Sequence, residues 1–415
     1  MSDKLQDTDT ADAASETAPA PSVLVEDVSD RLMEQALGES PLEELFQSCC
    51  EGLRGIGLPL SRAHITFRVL HPLYEAMGMT WLRGSGVEAQ SYEHHGSDEP
   101  PQPFASSPLW YMVRERLPLL RRRLTGDDAL VDFPFLAELR DAGAADYLAY
   151  LVYFGGGPRD GIAGSWATDR PNGFSDRDIQ SLLRVQRRLG VAAKMRIREQ
   201  IAENVVHTYL GRNAGRRVLR GQIQRGDGET LRAVIWYSDL RGSTRMADAL
   251  PRDDFIRTLN SYFECAGGAV VAQGGEVLSF IGDAILAIFP IDGDTAAGQA
   301  CDRALAAARE AQARLEAANE TRRRAGAEPL TFGLGLHLGD VLFGNVGLPE
   351  RVSFSVIGST VNEVARLEAL TKELGRPILV TRTFARETAI AWKQLGDFEL
   401  RGVGAPIEVL APAEG

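Results

Sequence analysis

The sequence predicts a mixed α/β (α+β) protein of two folded modules joined by a helical connector, and three observations carry that reading. A chain of 415 residues, 44% hydrophobic and 25% charged, is long enough to bury more than one core. Short β-branched and aromatic runs bounded by Gly, Pro, Asn and Asp alternate with longer stretches of helical periodicity. The Gly- and Arg-rich stretch GRNAGRRVLRGQIQRGDGE interrupts that alternation before a second α/β series begins.

Residues 1–27 are acidic, rich in small residues and Pro-containing, which predicts a disordered tail, and they lack the basic start and apolar core of a secretory signal. No run of about 18 apolar residues occurs, so no transmembrane segment is expected. A net charge of −12 argues against a nucleic-acid partner and leaves room for a small anion whose charge is carried by metal ions. Cys49, Cys50, Cys265 and Cys301 show no metal-ligand spacing, which fits reduced thiols and a cytoplasmic location.

Residues 28–195 read as the first module. A helix around 41–53 precedes the strand-like runs HITFRVL, MTWLRG, ADYLAYLVYFGGG and GIAGSWATD. After Pro171-Asn172-Gly173 a helix starts at Ser175, whose hydroxyl caps it while an acidic first turn suits the helix dipole. The run Arg121-Arg122-Arg123 reads as a solvated face. In GSWATDRPNGFSDRDIQSLL the last strand runs into a closing helix, and this order resembles a GAF-type sensor domain. The resemblance implies a sensor or dimerisation role with an unknown ligand or partner.

Residues 196–230 read as the connector, because Ile197, Ile201, Val205 and Tyr209 place one apolar stripe on an otherwise charged helix. Such a stripe is either core packing or a parallel two-helix seam, and its position before a new module favours the seam.

Residues 231–411 form the second module. The strand 233–237 ends in Ser238-Asp239, followed by Leu240, Arg241, Gly242, Ser243 and Thr244 at a Gly-containing turn into a helix. Amides at such a turn bind phosphate, and a neighbouring carboxylate suits the accompanying Mg²⁺. The segment GGEVLSFIGDAILAIFP reads as a hairpin of two largely buried strands with Asp283 at its turn. If the hairpin pairs beside the first strand, the two Asp meet at one end of the sheet. Carboxylates so placed can hold two divalent ions about 4 Å apart. A helix over 252–272, a long helix over about 295–323 and strands at 331–338 and 341–346 complete the pattern.

Four ordered stretches, SDLRGST, GGEVLSFIGDAILAIF, GLHLGDVLFGNVG and FSVIGSTVNEVARLE, resemble the catalytic domain of class III adenylate/guanylate cyclases. The resemblance implies a ferredoxin-like cyclase sandwich preceded by the GAF-like α/β domain. It implies Asp239 and Asp283 as ligands of two divalent metal ions, Mg²⁺ or Mn²⁺. Asn362 and Arg366 are then the pair that steadies the transition state, one face of a helix serving both because they are four residues apart. It further implies a homodimer with sites shared between chains, and 348–353 as an arm reaching the partner. Arg401 is a candidate phosphate contact.

Base selection departs from the family pattern. Ser279 stands where a Lys is usual, whereas Ser355 is a hydroxyl within the family's range that can accept a hydrogen bond from the adenine amino group. The activity expected is conversion of ATP to 3′,5′-cyclic AMP. The alternatives are a guanylate cyclase or one of relaxed specificity acting on GTP, and a non-catalytic nucleotide-binding sensor dimer.

Overall fold

The computed structural model describes residues 22–95, 100–155, 157, 160–291, 296–400 and 404–413. It divides into two units, Met1–Val205 and Val206–Gly415. In the first, α1 (Ser22–Leu37) and α2 (Leu42–Gly55) precede β1 (Arg62–Arg68), β2 (Tyr74–Leu82) and β3 (Gly86–Glu93). Then come α3 (Pro108–Glu115), β4 (Leu119–Arg123), α4 (Pro134–Asp141), β5 (Asp146–Tyr153), β6 (Gly161–Thr168) and α5 (Asp176–Leu210). The six strands form an antiparallel sheet in the order β3-β2-β1-β6-β5-β4.

Side-chain size decides how this sheet is covered. Ala63 lies between Trp81 and Trp166 in the cross-strand register, and Gly164 opposite Tyr150 lets that ring stack on Trp166 at 5.6 Å between centroids. This aromatic floor packs with residues of α1, α2 and α5, while Leu109, Met112, Leu136 and Leu139 of α3 and α4 cover Tyr147 and Ala149 on the other face. An antiparallel sheet with helices on both faces is compatible with a GAF-like domain.

Three expectations for this part change. Helix α1 begins at Ser22, inside the stretch expected to be a tail, because Val25, Val28, Leu32 and Ala36 recur at helical spacing and are buried. Residues 1–21 lie outside the described residues. Ser175 caps α5 as expected, in a reciprocal box with Asp178: the Asp178 amide donates to the Ser175 hydroxyl at 3.2 Å and the Ser175 amide to the Asp178 carboxylate at 2.8 Å. Yet α5 then runs 35 residues without a break, and Ile197 is buried with Ile201 packed beside it, so half of the supposed connector stripe belongs to the first core. Finally, Arg121-Arg122-Arg123 is not a solvated face. Arg121 binds the fully buried Asp146 at 2.7 Å and the Phe174 carbonyl at 2.6 Å, and Arg122 pairs with Asp132 at 2.8 Å.

The second unit continues with α6 (Arg212–Leu219), β7 (Gly228–Leu240), α7 (Ser243–Ala249), α8 (Arg252–Ala272), β8 (Glu276–Ile281), β9 (Ala284–Ile291) and α9 (Ala297–Arg324). It ends with β10 (Phe332–Leu348), β11 (Arg351–Ile357), α10 (Ser359–Glu373), β12 (Ile378–Thr381), α11 (Arg382–Ala385), β13 (Trp392–Phe398) and β14 (Ile407–Pro412). Strands β10-β7-β9-β8 lie side by side in the ferredoxin-like order, extended beyond β10 by β12, β14 and β13. The fold is a mixed α+β sandwich.

Both faces of β7 are covered, so its sequence is apolar without alternation. Val234, Trp236 and Leu240 face α8 and α9, where alanines of α9 (Ala300, Ala304, Ala307, Ala308 and Ala311) permit close packing. Ala233 and Ile235 share the opposite core with Ala214, Val356 and Val364. On β10 the alternation is explicit: Leu334, Leu336 and Leu338 point into the α8/α9 core, while Gly333, Gly335 and Gly339 lie under α10. A Cβ at Gly335 would stand 2.8 Å from the Val364 carbonyl, so only glycine lets the helix sit this low.

The two strands expected around 331–346 are one continuous strand, β10, and its partner β11 forms a hairpin with it through Leu348 and Arg351, where the arm was expected. The long helix spans Ala297–Arg324, and position 295 lies outside the described residues. The hairpin is less buried than expected: β9 is core, whereas β8 is the sheet edge and mostly half-buried or exposed.

Candidate active site

The first carboxylate is placed by alternation. Ser238 faces the α8 core, accepting hydrogen bonds from Trp236 at 3.0 Å and Tyr262 at 2.9 Å, so its neighbour Asp239 must point to the opposite face. The second is placed by the turn. Gly282 takes a φ of 64°, which closes the β8–β9 hairpin and sets Asp283 one residue before Ala284, the partner of Asp239 across β7–β9. The Leu240 amide reaches the Asp283 carbonyl at 3.4 Å, tying the turn to the strand end.

The two carboxyl groups share a hydrogen bond, and Asp239 is raised from 3.8 to about 7. Burial is the largest cause, followed by the charge of Asp283, that hydrogen bond and the charge of Glu368, with Arg241 opposing. Two hard oxygen donors that repel one another suit a small divalent cation, which would replace the proton between them. Among the described residues no third His, Cys, Asp or Glu joins them in a metal-binding group. Such a set fits Mg²⁺ or Mn²⁺, which is commonly held by one or two carboxylates together with water and substrate phosphates.

The turn after Asp239 divides in two. Leu240 is core, and the Arg241 amide donates to the Thr331 carbonyl at 2.8 Å, so neither backbone amide is left for a phosphate. The Arg241 guanidinium points inward to Glu368, at 2.9 Å, and to the Thr371 hydroxyl. Gly242, at φ 74°, starts α7, leaving Gly242, Ser243 and Thr244 as the accessible part of the expected phosphate loop.

Ser279 sits half-buried on β8 next to an irregularity in register between Val277 and Ser279. Ser355, on β11, pairs with Gly344. The β10–β11 hairpin curls over this face, bringing Phe354 and Val356 into one core with Leu278 and Leu286, so the two serines stand on adjoining elements. Asn362 and Arg366 are exposed on α10, and neither forms a hydrogen bond or ion pair with Asp239 or Asp283 of the same chain. Arg401 lies outside the described residues.

Sequence reasoning missed Glu368 and Thr371, which lie behind Asp239. Their signal was present: the apolar positions Val364 and Leu367 define the inner face of α10, and Glu368, four residues after Val364, falls on it.

Residues 229–410 match the family described as Adenylate and Guanylate cyclase catalytic domain. The adenylate cyclase of Anabaena cylindrica is 38% identical over 168 residues, covering 40% of this chain and 32% of that protein. Adenylate cyclase 1 of Rhizobium meliloti is 27% identical over 177 residues, covering 42% of this chain and 26% of that protein. Among solved structures, the guanylyl cyclase Cya2 is 28% identical, covers 44% of this chain and 92% of that one, and superposes with a TM-score of 0.39. The chain thus spans about a third or less of the curated relatives named here. Among the described residues no helix is long and apolar enough to cross a membrane. The segment 229–410, which carries the four motifs, thus matches the adenylate and guanylate cyclase catalytic domain family.

Proposed function

We propose that the protein converts ATP to 3′,5′-cyclic AMP and pyrophosphate. The observation that carries this reading is the meeting of Asp239 and Asp283 carboxyls at one sheet end beside the accessible turn Gly242-Ser243-Thr244. Two divalent ions bound there would supply Lewis-acid stabilisation of the attacking and leaving oxygens. Asp239 and Asp283 would hold them, and the accessible turn Gly242-Ser243-Thr244 would be open to the phosphates. In the reaction the 3′-oxygen forms a bond to the α-phosphorus as its proton passes to solvent, the bond from that phosphorus to the bridging oxygen breaks, and pyrophosphate leaves.

Asn362 orients the ribose and Arg366 offsets the charge that grows on the α-phosphate. Since both are exposed and make no bond to the carboxylates of their own chain, we assign them to the site of a partner in a homodimer with two shared sites. Residues 22–201 act as a GAF-like sensor or dimerisation module, the stretch that follows as the connector and 231–411 as the catalytic module.

A second reading rests on Ser279. With no charge on the base side, adenine is favoured over guanine by little, and GTP becomes an alternative substrate. Purified full chain with Mn²⁺ and each of the four nucleoside triphosphates in turn, with products separated by chromatography, tests both readings. Cyclic AMP as the main product supports the first, equal cyclic AMP and cyclic GMP the second, and no cyclic product from any triphosphate refutes both.

A further inference from the structure

Arg241 lies two residues after Asp239, and its position in the sequence places it in the phosphate-binding turn. Its side chain goes elsewhere. The guanidinium binds the Glu368 carboxylate at 2.9 Å and the Thr371 hydroxyl, two groups three residues apart on the inner face of α10. Glu368 is 4% exposed and Thr371 3%, and the Thr371 hydroxyl also donates to the Glu368 carbonyl at 2.6 Å. Gly333, paired with Asp239 across β7–β10, makes the space: a Cβ there would overlap Arg241, Glu368 and Thr371 together.

A single guanidinium nitrogen, Nη2, bound to two groups of one helix resists both rotation and sliding of that helix. The outer face of the same helix carries Asn362 and Arg366. We propose that Arg241 is a positioning residue for α10, acting through Glu368 and Thr371 on Asn362 and Arg366, and not a ligand of phosphate. This rests on the shared-site reading, under which Arg241 serves the site opposite the one its own Asp239 builds.

Mixed dimers separate the two roles. An Asp239→Ala chain combined with an Arg366→Ala chain contains one complete site, built from the carboxylates of the second chain and the helix of the first. Arg241→Gln is added to either chain. Placed in the helix-donating chain it should lower kcat at least about tenfold, with KM for ATP within about twofold; placed in the carboxylate-donating chain its effect should be several-fold smaller. The reverse pattern, or equal losses, overturns the proposal. Thr371→Val, which keeps the volume and removes one acceptor, should show a smaller loss in the same arm and serves if Arg241→Gln does not fold.

Hydrogen exchange gives a readout independent of the reaction. In the Arg241→Gln homodimer the amides of α10 should exchange at least about tenfold faster while those of α8 and α9 keep their protection. Unchanged α10 protection overturns the proposal, as does a uniform rise across all three helices. If the parent mixture restores no activity although heterodimers form, the shared site falls, and exchange alone decides the role of Arg241.

Discussion

The carboxyl groups of Asp239 and Asp283 are in hydrogen-bonding contact although one ends a central strand and the other sits at the turn of the neighbouring hairpin, and burial, together with this contact, raises Asp239 to about 7. A carboxyl held above its unfolded value binds a proton in the folded chain that the unfolded chain has released. Its contribution to stability is fully present below about 3.8 and is lost as pH rises through about 7. In the absence of divalent ions, therefore, the melting temperature should fall between pH 5 and pH 8 by an amount that Asp239→Asn removes. Mn²⁺ should restore it at pH 8, where the proton is already gone, and should release a proton when it binds at pH 6. A wild-type melting temperature that matches Asp239→Asn at both pH values would contradict the shared proton.

Gly333 tests the packing behind that pair. Gly333→Ala places a methyl group among Arg241, Glu368 and Thr371, and overpacking of this kind costs about 1–3 kcal/mol. Urea titration of the two proteins should show the shift, whereas Gly404→Ala, with nothing within 4 Å, should be nearly neutral. Equal midpoints for both variants would mean that α10 has slack the structure does not show.

The start of α6 offers a third test. No side chain of its own caps this helix; the Glu276 carboxylate of β8 does so instead, accepting from the Asn213 amide at 3.0 Å and the Asn213 side chain at 2.6 Å. Glu276→Ala should cost about 1–2 kcal/mol, as loss of a cap does, again read by urea titration. A change below the error of that titration would show the contact to be incidental.

Ser279 bears on substrate choice. On the edge strand β8 the half-buried position 279 leaves a long stem a way out past the sheet, so Ser279→Lys should fold normally and offer a cationic donor to the adenine ring nitrogen. The expected gain for ATP over GTP is about 1–3 kcal/mol in kcat/KM. Equal gains on both nucleotides, or a loss on ATP, would refute this account of base selection.

Much of this was legible in the sequence. Strand β7 and helix α8 stood out because their apolar runs are long and sharply bounded, and Asp239 and Asp283 because acidic residues interrupt apolar runs at strand ends. What stayed hidden depends on tertiary placement. The inward turn of Arg241 follows from the room at Gly333, and the joining of two predicted strands into β10 from pairing with β7 across Gly339 and Asp340. Edge strands β3 and β4 lack a regular apolar pattern because β3 buries no residue and β4 only one. Nor could spacing show that Ile197 and Ile201 face the first core, since a core stripe and a two-helix seam share one periodicity.

The most direct test of the central claim is the cyclase activity of Asp283→Ala beside the wild type, using full-length protein, ATP and saturating Mn²⁺, with cyclic AMP measured by chromatography. Asp283 sits half-buried at a turn and belongs to no hydrophobic core, so the variant should fold as the wild type does. The account predicts cyclic AMP from the wild type and a loss of at least about a thousandfold in the variant, on the scale of removing an essential stabilising group. Near-normal turnover by a folded Asp283→Ala dimer would contradict it.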